Sequence, residues 1–257
     1  MLNFRRLNIL FISLLLISIA AQLKYATPYY IYIILLIAYS LFLFYGCYYI
    51  GSNFFIRVIC SAQTNSKVVA LSFDDGPDAK NTPQILQTLK DNHIQAAFFC
   101  IGRRIAQNEA LLKQIDDEGH LIGNHTFSHH FWFDMFSAKK MMDDMQLMDA
   151  AMHNVIGKNP RLFRPPYGVT NPNLKKAIIN GNYIPVGWSV RSMDTVIKDE
   201  SKLLNKLKRK IKPGAIFLLH DTSNATVSML PVLIKYIQSN GYEIIRLDKM
   251  LNLQPYA

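Results

Sequence analysis

The chain has 257 residues, of which half are apolar, 28 are Lys or Arg, 18 are Asp or Glu and three are Cys. That length and apolar content are ample for a large domain with a buried core, and they exclude a disordered or collagen-like chain. Cys47, Cys60 and Cys100 form neither a disulfide framework nor paired C-x-x-C zinc motifs, so a metal site here must draw on His and carboxylates.

Charge is unevenly spread. Residues 1–60 hold Arg5, Arg6, Lys24 and Arg57 and no acid, which leaves 24 basic against 18 acidic residues downstream and a net +6 of the chain's +10. Two apolar runs fill this first part, at about 7–22 and 29–50, separated by a short loop at Leu23 to Pro28. The second run carries no charge and is long enough to cross a hydrocarbon core about 30 Å thick. Tyr29, Tyr30, Tyr32, Tyr48 and Tyr49 sit near its ends, where interfacial aromatics are favoured. The first run is shorter and, with Arg5 and Arg6 before it and Ala20-Ala21 after it, also fits a signal-peptide core. The second run favours a two-helix membrane anchor over 1–60. Two spans return the chain to the side of Arg5 and Arg6, which the positive-inside tendency makes cytoplasmic, but Lys24 alone gives only a weak bias.

The polar stretch 61–67 reads as a linker and 68–257 as the soluble domain. Short apolar strands are expected at 68–73, 96–101, 121–123, 162–164, 183–186, 215–219 and 242–245. Helices are expected between them at 82–93, with Thr82 as N-cap and Pro83 following, and at 106–118, 138–155, 172–180, 201–211 and 227–239. Strands apolar throughout and alternating with helices predict βα units, and about seven of these suggest a distorted (β/α) barrel. Chemistry on such a fold sits just after the strands. Here those positions hold Asp74-Asp75, His125, Arg164 and His220.

Asp74-Asp75-Gly76-Pro77 offers two neighbouring carboxylates, one able to bind a metal and the other to stay free as a base. Taken alone it is equally a turn. His125-Thr-Phe-Ser-His129 places two imidazoles four residues apart, on one side of a helical turn, where they can share a zinc ion. Taken alone they are also two surface histidines, and the lack of H-E-x-x-H disfavours a zincin protease. Arg164-Pro165-Pro166-Tyr167-Gly168 holds a guanidinium that can pair with a carboxylate, and His220-Asp221 ends a strand with a histidine able to donate a proton. His120 reads as a loop residue beside this site.

In this order, F-D-D-G-P, H-x-x-x-H, R-P-P-Y-G, W-S…D and L-L-H-D resemble the polysaccharide deacetylases, family 4 of the carbohydrate esterases, which share their domain with nodulation-type chitooligosaccharide deacetylases. The resemblance covers about residues 66–250. It implies Asp74 as catalytic base, Asp75, His125 and His129 as ligands of one divalent metal, usually zinc with cobalt or other ions possible, and Arg164 as the tether of the base. It implies the Tyr167 backbone N–H as oxyanion donor, His220 as general acid tuned by Asp194, and Leu218 with Trp188 and Tyr167 lining the substrate groove. The family's Asp-x-x-Asp-Trp departs here, because Arg191 replaces the first Asp and Thr195 the Trp. The implied activity is release of acetate from N-acetylglucosamine residues of a cell-wall or extracellular polysaccharide. An O-deacetylase and a non-catalytic wall-binding protein are the alternatives. The expected setting is a monomer at the cytoplasmic membrane with its catalytic domain outside.

Three features read as structural or are left open. Met141, Met142, Met145, Met148 and Met152 recur at helical spacing and read as core, and Cys100 reads as a small buried residue. Lys202 to Lys212 places apolar residues on one face and basic ones elsewhere, which reads as a solvated helix, with contact to an anionic lipid or wall polymer as the alternative. No phosphate-binding glycine loop and no basic-aromatic interleaving point to nucleotide or nucleic acid.

Overall fold

The computed structural model describes residues 2–25 and 28–257; Ala26 and Thr27, in the loop between the two apolar runs, lie outside them. Those runs form α1 (Phe4–Gln22) and α2 (Tyr30–Tyr48), both long and apolar enough to cross a membrane or, for the first, to serve as a signal sequence. They pair as a hairpin, with Phe11 stacked on Tyr39 at 4.4 Å and the Tyr39 hydroxyl donating to Asn8 Oδ1. The end of α2 is tied to the rest of the protein, because Thr170 donates from its backbone N–H to the Cys47 carbonyl and from its hydroxyl to the Gly46 carbonyl.

The remainder is a curled, all-parallel sheet wrapped by helices. In chain order it runs β1 (Val68–Asp74), α3 (Thr82–Asp91), β2 (Ala97–Cys100), α4 (Gly102–Ile105), α5 (Glu109–Asp117), β3 (Leu121–Asn124), α6 (Ala138–Ile156), β4 (Leu162–Phe163) and α7 (Pro172–Asn180). It continues through β5 (Ile184–Pro185), β6 (Val190–Arg191), α8 (Glu200–Lys208), β7 (Ala215–His220), α9 (Asn224–Ser239), β8 (Glu243–Ile244) and α10 (Leu247–Leu251). The strand order is β5-β4-β3-β2-β1-β7-β6, with β8 on the start of β1. Ile59 bridges to Val186 beyond β5 and Ser61, the first residue of the polar stretch, to Ala215 at the start of β7, so the chain entering the domain links β5 to β7 across the open side of the sheet.

Alternation along the strands divides the core in two. Val69, Leu71 and Phe73 of β1 face outward and pack with Phe98, Phe217 and Leu219 against the buried faces of α3 and α9. Ala70, Ala97, Phe99 and Ile216 face the inside of the curl. Ser72 and Asp74 share that inward register, so the strand that builds the core also delivers a carboxylate to its open end.

Most expected elements form, and the differences have local causes. The helix expected over 106–118 starts only at Glu109, after the separate one-turn α4: the Asn108 side-chain amide donates to the Arg104 carbonyl behind it, while the Asn108 carbonyl accepts the first N–H groups of α5. Thr82 is the first helical residue of α3 and not its cap; its hydroxyl donates to Asp221 Oδ2 at 2.6 Å instead. Of the methionines, Met141, Met145, Met148 and Met152 are buried on α6 as expected, and Met142 packs partly against the same core.

Candidate active site

Register brings the sequence motifs together. In the parallel pairing of β1 with β7, Asp74 lies beside His220, and Cys100 lies beside Asn124, the residue before His125. Asn124 pairs with Phe163, the residue before Arg164. The C-terminal ends of β1, β3, β4 and β7 therefore come together around one cleft of about 180 Å³. Asp74, Asp75, His125, His129, Tyr167, Trp188, Leu218 and His220 all line it.

The cleft has three chemical parts. The first is a cation-binding set, since Asp75, His125 and His129 each offer one ligand atom and these lie within 4.8 Å of one another. Both imidazole Nε2 atoms are 3.5 Å from Asp75 Oδ1. His125 Nδ1 is 2.7 Å from the Arg164 carbonyl, which can only accept, so Nδ1 carries the hydrogen and Nε2 keeps its lone pair toward Asp75. Burial, with His125 nearby, lowers the His129 pKa to about 4, which keeps that imidazole neutral. Burial works against a charged His125, but Asp74 and Asp75 outweigh it and push its pKa up. Two imidazoles able to stay neutral and a carboxylate form a donor set that fits a divalent cation of the zinc type. The two histidines do not sit on a helix as their spacing suggested. They sit on an irregular turn in which Thr126 and His129 have φ of 67° and 43° and the His129 N–H donates to Thr126 Oγ1.

The second part is a buried ion pair. Arg164 is fully buried and Asp74 only 3% exposed. Arg164 Nη1 donates to Asp74 Oδ1 at 2.6 Å and to Ser72 Oγ at 2.8 Å, while Nε and Nη2 donate to the Val186 and Gly187 carbonyls. Its guanidinium carbon stacks 4.0 Å from the Phe99 ring centroid. A guanidinium held by four acceptors and a ring face cannot follow a mobile substrate; it fixes Asp74.

The third part is a histidine with its own carboxylate. His220 Nδ1 donates to Asp194 Oδ1 at 2.7 Å, and Asp194 also accepts from Ser192, Thr226 and the His220 backbone N–H. Burial opposes the charged imidazole, but the bond to Asp194 and the charges of Asp194, Asp74 and Asp75 raise the His220 pKa to about 9. At neutral pH His220 is thus a proton donor, which suits a general acid.

Backbone conformation marks the same region. Asp75, Tyr167 and Met193 have φ of 77°, 58° and 67°, a left-handed conformation that side chains disfavour and that concentrates at functional sites. At Tyr167 it leaves an N–H that donates to no protein acceptor among the described residues. Gly168, at φ 74°, is needed for close approach: a Cβ there would lie 2.6 Å from the Trp188 ring.

One expectation fails. His120 is not beside the site but precedes β3 at the opposite end of the strands, where its Nδ1 accepts from the Ala96 N–H. Met193 and Val196 line the cleft and went unrecognised, and Phe131 and Trp132 stand exposed after the histidine turn, with Phe131 6.2 Å from Tyr167. No apolar periodicity marks a loop, so only the neighbouring His129 hinted at the aromatic pair.

Residues 61–184 match the family model described as polysaccharide deacetylase. A peptidoglycan-N-acetylglucosamine deacetylase of Bacillus cereus is 35% identical over 199 residues, which cover 76% of this chain and 92% of that protein. The chain belongs to the polysaccharide deacetylase family. Another relative, the peptidoglycan-N-acetylglucosamine deacetylase PgdA of Listeria monocytogenes, is 30% identical over 79% of this chain, yet the match spans only 42% of that longer protein. Among solved structures, the Bc1960 peptidoglycan N-acetylglucosamine deacetylase superposes with a TM-score of 0.74 at 28% identity, covering 78% of this chain and 95% of that one. The fold is also that of a Bacillus anthracis protein described as a CE4 family pseudoenzyme, so this fold alone does not establish activity.

Proposed function

We propose that this polysaccharide deacetylase removes the acetyl group from N-acetylglucosamine residues of a cell-wall glycan, releasing acetate and leaving a free amine. The observation that carries the reading is the convergence, in one cleft, of a cation-binding triad, a buried carboxylate–arginine pair and a carboxylate-backed histidine. The names of the relatives supply the substrate class.

Asp75, His125 and His129 would hold the cation, zinc by the preference of two imidazoles and a carboxylate, with cobalt a plausible substitute by the same donors. A cation held there would supply Lewis acidity and lower the pKa of a water toward neutrality. Asp74, pinned by Arg164, accepts the proton of the attacking water. The Tyr167 N–H donates to the oxygen that becomes negative as the amide carbon turns tetrahedral. His220 gives its proton to the departing nitrogen, and Asp194 steadies the imidazolium before that transfer. Leu218 and Trp188 wall the cleft and exclude water around the acetyl group.

The histidine–aspartate pair sets a pH dependence. The protonated form of His220 is the active one, so turnover falls as pH rises through its pKa, which lies near 9 before the positive charge of a bound cation draws it down. Asp194→Asn removes the first partner that raises it. The alkaline limb of kcat against pH should then move to lower pH by about one unit or more, because one unit corresponds to about 1.4 kcal/mol and a buried charge-assisted bond is of at least that size. A limb unmoved by Asp194→Asn would remove His220 from the role of acid.

The reading is tested by acetate release from two matched polymers, one N-acetylated and one O-acetylated. Release from the N-acetylated polymer alone, or at much higher kcat/KM, is expected. Preferential release from the O-acetylated polymer would replace the N-deacetylase reading, and release from neither would leave a binding protein. The two apolar helices would hold the domain at the cytoplasmic membrane, facing the wall.

A further inference from the structure

Next to the catalytic cleft lies a second and larger one, of about 670 Å³, which the chemistry above does not use. Its walls come from three distant segments: the end of α2 with the chain that follows it, the stretch 188–193, and the end of α8 with the turn after it. Arg57, Arg191, Lys206, Lys210 and Lys212 line it, and no acidic residue does. Among the described residues none of the five forms an ion pair; Lys206 donates to the Ser192 carbonyl. Burial and the neighbouring Arg191 and Lys210 charges lower the Lys206 pKa, outweighing the pull of Asp194.

Three observations indicate what fits there. Tyr167, Trp188, Arg191 and Met193 line both clefts, so a ligand can run from one into the other without leaving the protein. Arg191, which stands where the family pattern has an acid, is at the junction, with its guanidinium carbon 5.9 Å from the Trp188 ring centroid. Tyr48, Tyr49, Ile50 and Gly51, at the end of the second apolar helix, form the far wall, which places the cleft at the level where a membrane surface would lie if that helix spans.

We propose that this cleft binds a phosphoryl group carried by the substrate glycan close to the N-acetylated sugar being processed. Five cations exceed what one carboxylate calls for, and arginine with lysine is the pairing that phosphate oxygens accept in several directions. The phosphoryl group can be a sugar phosphate of the glycan itself or the link that joins a growing glycan to a lipid carrier. The inference rests on the deacetylase reading for the sugar but not for the anion.

The test uses the full chain in detergent micelles. Dissociation constants are measured on the His220→Gln variant, which slows turnover, for four probes: N-acetylchitotetraose, its aldonate, its 1-phosphate, and the same tetrasaccharide on a polyprenyl diphosphate. The 1-phosphate should bind about tenfold tighter than the neutral and aldonate forms, as expected for charge-assisted contacts, and the preference should shrink in 0.5 M salt. The triple variant Arg57→Gln, Lys210→Gln, Lys212→Gln should bring the ratio near one, and the charge-keeping Arg57→Lys, Lys210→Arg, Lys212→Arg should restore it. A further gain for the polyprenyl diphosphate that the triple variant also removes identifies the lipid-linked source; equal binding of the two phosphorylated probes identifies the sugar phosphate. Equal binding of neutral and phosphorylated probes by the unmodified cleft, or of aldonate and phosphate, overturns the proposal. So does a preference that is lost only when anionic phosphatidylglycerol vesicles compete and not when the three cations are neutralised. Failure of the wild-type chain to release acetate from any probe strikes the deacetylase reading separately, because these constants do not depend on turnover.

Discussion

Asp75→Ala, His125→Ala and His129→Ala should each lower acetate release by about 10³-fold or more, with zinc content falling from about one per chain toward none. The magnitude follows from the several kcal/mol of charge stabilisation that a bound cation supplies, at about 1.4 kcal/mol per tenfold. The three side chains are interchangeable in this respect only because they converge on one point, Asp75 Oδ1 being 3.5 Å from both Nε2 atoms. His125→Ala carries an additional effect, since the Arg164 carbonyl loses the Nδ1–H that satisfies it inside the protein. Metal analysis beside the rate is what checks this. Full activity at wild-type zinc content in any of the three variants would remove that residue from the site.

Asp74→Asn should separate catalysis from metal binding. Zinc content stays near that of the wild type, whereas kcat falls about 10²–10⁴-fold, the range that general base catalysis contributes. The same substitution leaves the fully buried Arg164 charge without its partner, and breaking a buried pair in this way costs about 3–5 kcal/mol of stability. Thermal unfolding should therefore shift down by several degrees. Adding Arg164→Met to Asp74→Asn removes the stranded charge and should recover part of that stability without recovering any activity. An Asp74→Asn chain that stays active, or a double variant that regains activity as it regains stability, would show that the pair is structural.

The sequence was most legible where chemistry and strand ends coincide. The apolar runs VVALSF and AIFLL read as buried strands, and the residues that follow them, Asp74 and His220, reach the cleft. Spacing misled at His125 and His129: four residues fit one helical turn, but the chain reaches the same convergence with two left-handed residues and no helix. Sheet closure was illegible for a different reason. The Ile59 and Ser61 bridges and the two-residue β6 involve too few residues to leave a periodic pattern, and the partners of Ile59 and Ser61 are more than a hundred residues away. The cationic cleft was hidden in the same way. Lys206, Lys210 and Lys212 read as a solvated helix end until the fold set Arg57 and Arg191 opposite them.

The central claim, a metal-assisted N-deacetylase, is tested most directly by acetate release from an N-acetylglucosamine oligomer by the full chain, before chelation, after chelation and after return of zinc. Release should drop to background when metal analysis shows zinc removed, and it should return with about one equivalent per chain. Undiminished release from a chain shown to be free of metal would contradict it.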